Sequence, residues 1–121
     1  MKAKVIALDY FQRKAKRLTK KFRTLDGELA TLIADLKQIP KQGKDLGSGL
    51  YKIRLASKSK GTGKSGGFRI VTYYIEQVGD EEIVYLVTIY DKSEDDSIAK
   101  TDLLAIVKEA LTSEDDEPEE D

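Results

Sequence analysis

The sequence predicts an α+β fold: a small, mostly antiparallel β-sheet with an N-terminal helical pair and a C-terminal helix. Three observations carry this. Apolar residues recur every three or four positions from about Asp9 to Gln38. From Leu50 to Tyr90 they change to a period near two, in stretches rich in β-branched and aromatic residues. Helical spacing then returns from Ser97 to Leu111. A chain of 121 residues supplies one compact domain, read here as residues 1–112, followed by an acidic tail over residues 113–121.

Each element has a local reason. Val5 to Leu8 is a short apolar run that reads as a first strand, and Asp9 behind it reads as the cap of the helix that follows. Phe11, Ala15, Leu18 and Phe22 then form one stripe, with Arg13, Lys14, Lys16, Arg17, Lys20 and Lys21 on the other face. A second helix runs from about Leu25 to Gln38, with Leu25, Leu29, Leu32, Ile33 and Leu36 as its stripe. Asp26 and Glu28 favour its first turn, and Pro40 ends it. Leu50 to Ala56, Phe68 to Val78 and Ile83 to Tyr90 read as three strands, the last two joined by a turn at Gly79 and Asp80, and a meander follows. Ile98, Leu103, Leu104, Ile106, Val107 and Leu111 line the closing helix.

Charge is divided along the chain. Eighteen of the 21 Lys and Arg precede Ile70, against five acids there, so a net charge of −1 hides a basic body and an acidic end. The closing run from Ser113 to Asp121 has nothing apolar to bury and reads as a disordered, solubilising tail, or as a tethered polyanion that competes with RNA for the basic face. The absence of cysteine excludes disulfides and thiol chemistry. The absence of histidine removes the commonest general base and metal ligand. Acid–base chemistry therefore falls to Lys, Tyr, Asp or Glu. No apolar run is long enough to span a bilayer, and the first residues do not make a secretory signal, so a cytoplasmic protein with no membrane partner is expected.

The stretch from Tyr51 to Ile70 contains Lys52, Arg54, Lys58, Lys60, Lys64 and Arg69 and no acid. Such a cluster suits phosphate. Alternation puts Lys52 and Arg54 on one face of a strand, about 7 Å apart, and Arg69 joins them if the next strand pairs in register. Three cations on one sheet face repel one another, which stability alone explains poorly, although a solvated outer face is the plain alternative. The segment Gly61 to Ser65 imitates the end of a phosphate-binding P-loop, but Lys58 stands where that motif needs glycine and a strand follows where it needs a helix. Its glycines read as a mobile hairpin tip. Tyr73, Tyr74, Tyr85 and Tyr90 are candidates to stack a base or to pack the core.

The order of elements, with Tyr51 to Arg54, Lys64 to Ile70 and Thr88 to Glu94, resembles the RelE/ParE superfamily of bacterial type II toxins, closest to its HigB-like branch, from about Phe11 to Leu111. The resemblance implies an endoribonuclease that cuts messenger RNA in the ribosomal A site without metal or other cofactor. It also implies neutralisation by a cognate antitoxin, expected to be a helix-turn-helix protein. The implied reaction is attack of a ribose 2′-hydroxyl on the adjacent phosphate. Matched by position, Lys52 and Arg54 correspond to the family's paired strand cations, Arg69 to the arginine of the following strand, and Lys92 falls in the terminal motif. Lys52 is the implied base, since a guanidinium stays protonated, and Arg54 and Arg69 are the implied phosphate clamps. Lys58, Lys60, Lys64 and Tyr90 are expected to contact RNA or ribosome. The chain departs from the RelE pattern at Ser93, where an arginine is usual, and at Ile98, where a tyrosine is. Lys92, Tyr90 or Asp91 then takes over those roles, or cleavage is weak. Two other functions fit the same pattern: a ParE-like gyrase inhibitor that cuts nothing, and a noncatalytic RNA-binding regulatory module.

Overall fold

A five-stranded mixed sheet with the order β1-β5-β4-β3-β2 forms the middle of the molecule. The computed structural model describes residues 3–60, 67–77, 79, 81–94 and 98–115. In chain order the elements are β1 (Lys4–Ala7), α1 (Asp9–Lys21), α2 (Leu25–Gln38), β2 (Lys44–Gly47), β3 (Leu50–Leu55), β4 (Phe68–Gln77), β5 (Glu81–Asp91), a 3-10 turn (Lys92–Glu94) and α3 (Lys100–Asp115). The α+β architecture matches the sequence expectation. Strand β1 runs parallel to β5, and every other pairing is antiparallel.

The sheet is covered on both faces. Phe11 and Leu18 of α1 and Leu25, Leu29, Leu32 and Leu36 of α2 pack against Ile53, Phe68, Ile70, Val84, Leu86 and Ile89. On the opposite face Leu103 and Val107 of α3 pack against Leu50, Val71, Ile83, Tyr85 and Val87. Strand β5 is thus buried without interruption from Ile83 to Asp91. Its unbroken apolar run is the mark of a strand with helices on either side, whereas Leu50 to Leu55, nearer the edge, alternates.

Two local features differ from expectation. Asp9 is the first helical residue of α1, not its cap; Leu8 takes the cap position and supplies no side-chain hydrogen bond. An extra strand, β2, precedes β3, and its Lys44 lies directly opposite Lys52. The turn between them places Gly47, Ser48 and Gly49 at φ of 90°, 57° and 88°, a left-handed run that two glycines make accessible. Asp45 Oδ1 accepts the Gly47 N–H at 2.8 Å and fixes the turn.

The segment after β3 is fastened to the first turn of α2. Thr24 N–H donates to Ser59 Oγ at 2.7 Å, Ser59 N–H donates to Thr24 Oγ1 at 3.0 Å, and Lys58 N–H donates to Glu28 Oε2 at 2.9 Å. Helix α3 runs on to Asp115, three residues into the acidic run that starts at Ser113. The rest of that run, residues 116–121, lies outside the described residues.

Candidate active site

The register of β3 against β4 decides how the cations meet. Arg54 lies directly opposite Arg69, and Lys52 opposite Val71. Directly opposed residues of antiparallel strands project to the same side, so Lys52, Arg54 and Arg69 share one face. Across β5, Arg69 is opposite Tyr90, which joins that face. It is the side on which α3 packs.

A cavity of about 230 Å³ opens there, lined by Leu46, Lys52, Val71, Tyr90, Ile98, Lys100 and Leu103. Its floor is sheet and its wall is the start of α3. Most of the lining is apolar, with two ammonium groups and one phenol at the margin, a composition suited to a flat organic group that carries anionic charge. Among the described residues no carboxylate lies within ion-pair distance of Lys52, Arg54 or Lys100. Arg54 is exposed and Lys52 half-buried. Arg69 is only 6% exposed, and its Nη1 reaches the Phe68 carbonyl at 3.4 Å. It underlies the face, whereas Arg54 stands out from it. Tyr90, 8% exposed, is held in the cavity wall.

The other expected contacts are spread more widely. Lys92 is exposed in the 3-10 turn after β5, where its N–H donates to the Gly67 carbonyl at 3.1 Å, and it does not line the cavity. Lys58 is exposed, projecting from backbone held by Glu28. Lys64 lies outside the described residues. Lys60 has a different place from the one expected. Its Nζ is paired with Asp91 on the α1/α2 side of the sheet, with side-chain exposures of 10% and 6%, and lies 5.4 Å and 5.3 Å from the ring centres of Phe22 and Phe68. Such a cation is spent on the fold and is not available to an RNA backbone.

Asp91 is likewise committed. Its Oδ1 accepts from Lys60 and from the N–H and hydroxyl of Ser93 at 3.0 Å and 2.9 Å. Burial alone pushes its pKa up, but the Lys60 bond and the two Ser93 donors outweigh it and hold the carboxyl below its ordinary range. Glu28 behaves in the same way. Burial raises its pKa, yet the Ser57 hydroxyl, the Lys58 N–H, the Thr24 hydroxyl and the Lys58 charge bring the net shift below the usual value. Both groups bind protons less readily folded than unfolded. They contribute stability above the unfolded values of about 3.9 for Asp and 4.3 for Glu, and that stability drains as the pH falls below these values. Urea midpoints measured from pH 6 down to pH 3 are expected to fall more steeply for the parent than for Asp91→Asn, whose already lower midpoint changes less; parallel slopes would contradict this.

The four candidate tyrosines separate clearly. Tyr73 and Tyr85 lean on each other with ring centres 6.3 Å apart beneath α3. Tyr74 donates to Glu82 Oε2 at 2.6 Å, and that bond, with burial and the nearby acids, pushes its pKa up to about 12, so it stays a neutral phenol. Tyr90 alone of the four lines the cavity. The side chains of Lys44 and Lys100 were not anticipated in the site. Lys44 follows from the unexpected strand β2, since it opposes Lys52, and Lys100 from the way α3 begins against Leu46 and Gly47.

The comparisons with known proteins bear on the family and the fold. The family model described as the RelE toxin of the RelE/RelB toxin–antitoxin system matches residues 6–117. The chain belongs to the RelE toxin family. It is the toxin component of a type II toxin–antitoxin system, in a family of endoribonuclease toxins that act at the ribosome and have an antitoxin as partner. Among solved structures, the free form of the E. coli toxin RelE, a mutant with two arginines replaced by alanine, is similar in fold at a TM-score of 0.53 and 16% identity. The match covers 93% of this chain and 97% of that one. At that identity the likeness speaks for the fold. No helix among the described residues is long and apolar enough to cross a membrane.

Proposed function

We propose that this RelE-family toxin cleaves messenger RNA on the ribosome by metal-independent attack of a ribose 2′-hydroxyl on the neighbouring phosphate. The observation that carries the proposal is the Arg54–Arg69 register, which gathers Lys52, Arg54 and Arg69 on one face beside a cavity that also holds Tyr90. Lys52 takes the 2′-hydroxyl proton. Arg54, from its exposed position, engages the nonbridging oxygens of the phosphate, and Arg69 adds a deeper, preorganised charge beneath them. Fixed charges of this kind favour the transition state because the phosphate gains negative charge as attack proceeds. Lys92 and Lys58, both exposed, suit contacts to RNA backbone.

The antitoxin is proposed to be a helix-turn-helix protein encoded beside the toxin, and the site of action the cytoplasm. Residues 1–112 are proposed as the toxin domain and residues 113–121 as its acidic appendage, the first three of which extend α3.

Induced expression tests this directly. Growth arrest accompanied by transcripts cut within codons, and only on translating ribosomes, is the expected result. Arrest accompanied by gyrase-linked DNA breaks, or no arrest from a folded protein, would overturn it. Arg54→Ala is expected to slow cleavage by about 10²-fold, in line with loss of one preorganised charge contact, with little change in folding because the side chain is exposed.

A further inference from the structure

We infer that Lys100 is a second catalytic lysine, the general acid that protonates the departing 5′-oxygen; this rests on the cleavage reaction proposed above. The cavity has two ammonium groups and they come from different layers: Lys52 from the sheet floor, Lys100 from the first turn of α3. Lys100 leans across to β2, where its Nζ lies 2.7 Å from the position a Cβ would take on Gly47. Gly47 has no side chain to stand in that place, and its φ of 90° discourages one. The Lys100 ammonium is therefore seated over bare backbone at the cavity margin, with no carboxylate in ion-pair distance among the described residues. Holding two ammonium groups at one small cavity costs repulsion, and among the described residues no ion pair offsets it there. An anionic ligand between them would.

The reaction needs two proton transfers on opposite sides of phosphorus. Lys52 receives the proton of the 2′-hydroxyl as that oxygen bonds to phosphorus. The bond from phosphorus to the 5′-oxygen then breaks, and that oxygen takes a proton from the Lys100 ammonium. The products are a 2′,3′-cyclic phosphate and a 5′-hydroxyl, with one lysine protonated and the other deprotonated. Solvent restores both. An ammonium is a donor only and suits the acid role. The alternatives near the end of β5 are less well placed: Asp91 is occupied by Lys60 and Ser93 on the other side of the sheet, and Lys92 does not line the cavity. Tyr90 does line it, so the test must separate it from Lys100.

A substrate with sulfur in place of the 5′-bridging oxygen makes that separation, since a thiolate leaves without a proton. The assay uses programmed ribosomes carrying messenger RNA with either oxygen or sulfur at the bond that the parental toxin cuts. Lys100→Ala is expected to cut the oxygen substrate about 10²- to 10⁴-fold more slowly than the parent, the range of one general acid, and to cut the sulfur substrate within about tenfold of it. Lys100→Arg keeps the charge and is expected to share the defect. Lys52→Ala is expected to be slow on both substrates. If Lys100→Ala cuts the oxygen substrate at the parental rate, or is equally slow on both, or if sulfur rescues Tyr90→Phe instead, the assignment to Lys100 is overturned while the cleavage reaction stands. Absence of cutting by the parent itself overturns the reaction.

Discussion

Replacing Lys52 by alanine is expected to abolish growth arrest and to slow cleavage on the ribosome by about 10²- to 10⁴-fold, the contribution of one positioned general base. The decisive companion is Lys52→Arg. It keeps the positive charge at the cavity but offers no lone pair, since a guanidinium does not deprotonate in a protein. If Lys52 serves as base, the arginine variant is as impaired as alanine. If the residue acts only by attracting phosphate, the arginine variant keeps most of the activity and the base must be sought elsewhere. Binding separates from chemistry in the same experiment: loss of the base lowers kcat with KM little changed, whereas loss of a phosphate contact made in both ground and transition states raises KM. Lys52 is half-buried, with its strand held on both sides by β2 and β4, so neither variant is expected to unfold the chain.

The Lys60–Asp91 pair carries the second large effect, on stability. Both partners are nearly buried, and removing one leaves the other charged in a poorly hydrated place. Lys60→Met is expected to cost about 3–5 kcal/mol, a substantial part of the roughly 5–15 kcal/mol that holds a domain together. The double variant Lys60→Met/Asp91→Asn removes the stranded charge and is expected to be more stable than Lys60→Met alone, because a neutral amide keeps part of the Ser93 bonding without the burial penalty. Urea unfolding at pH 7 reads both. Identical midpoints for the single and double variants would show that Asp91 is not stranded when Lys60 is lost. Activity of the double variant, measured well below its unfolding midpoint, is expected to stay close to parental, since Lys60 faces away from the cavity.

Most of the architecture is legible in the sequence because period and burial agree. The stripe of Leu25, Leu29, Leu32 and Leu36 places α2 at its observed limits, and the alternation from Leu50 to Leu55 separates Ile53 from Lys52 and Arg54. What escapes is structure held by pairing and not by pattern. Strand β2 has only Leu46 as an apolar residue and gains strand geometry from β3, so its Lys44 has no signal of its own. The placement of α3 on the face opposite α1 and α2 is written in the continuous burial of β5, yet an apolar run of that length does not by itself say which layer covers it. Within the site, Lys52, Arg54, Arg69 and Tyr90 come together because their parity along adjacent strands is a local property. Lys60 defeats the same logic. Its neighbourhood in sequence is basic, while its neighbourhood in space is Phe68 together with Asp91 and Phe22, which stand 31 and 38 positions away. Lys100 is missed for the converse reason, since one lysine at the start of an amphipathic helix carries no mark of the cavity it borders.

The parallel pairing of β1 with β5 joins Lys4 to Ile83, so the first residues made are locked only after most of the chain exists. Long-range closure of this kind is entropically costly and tends to form late and slowly. Lys52 and Tyr90 are brought to one cavity by the pairing of β3, β4 and β5, and Lys100 joins them from a helix that lies beyond every strand in the chain. That cavity is therefore incomplete until the start of α3 has been made and has packed on the sheet.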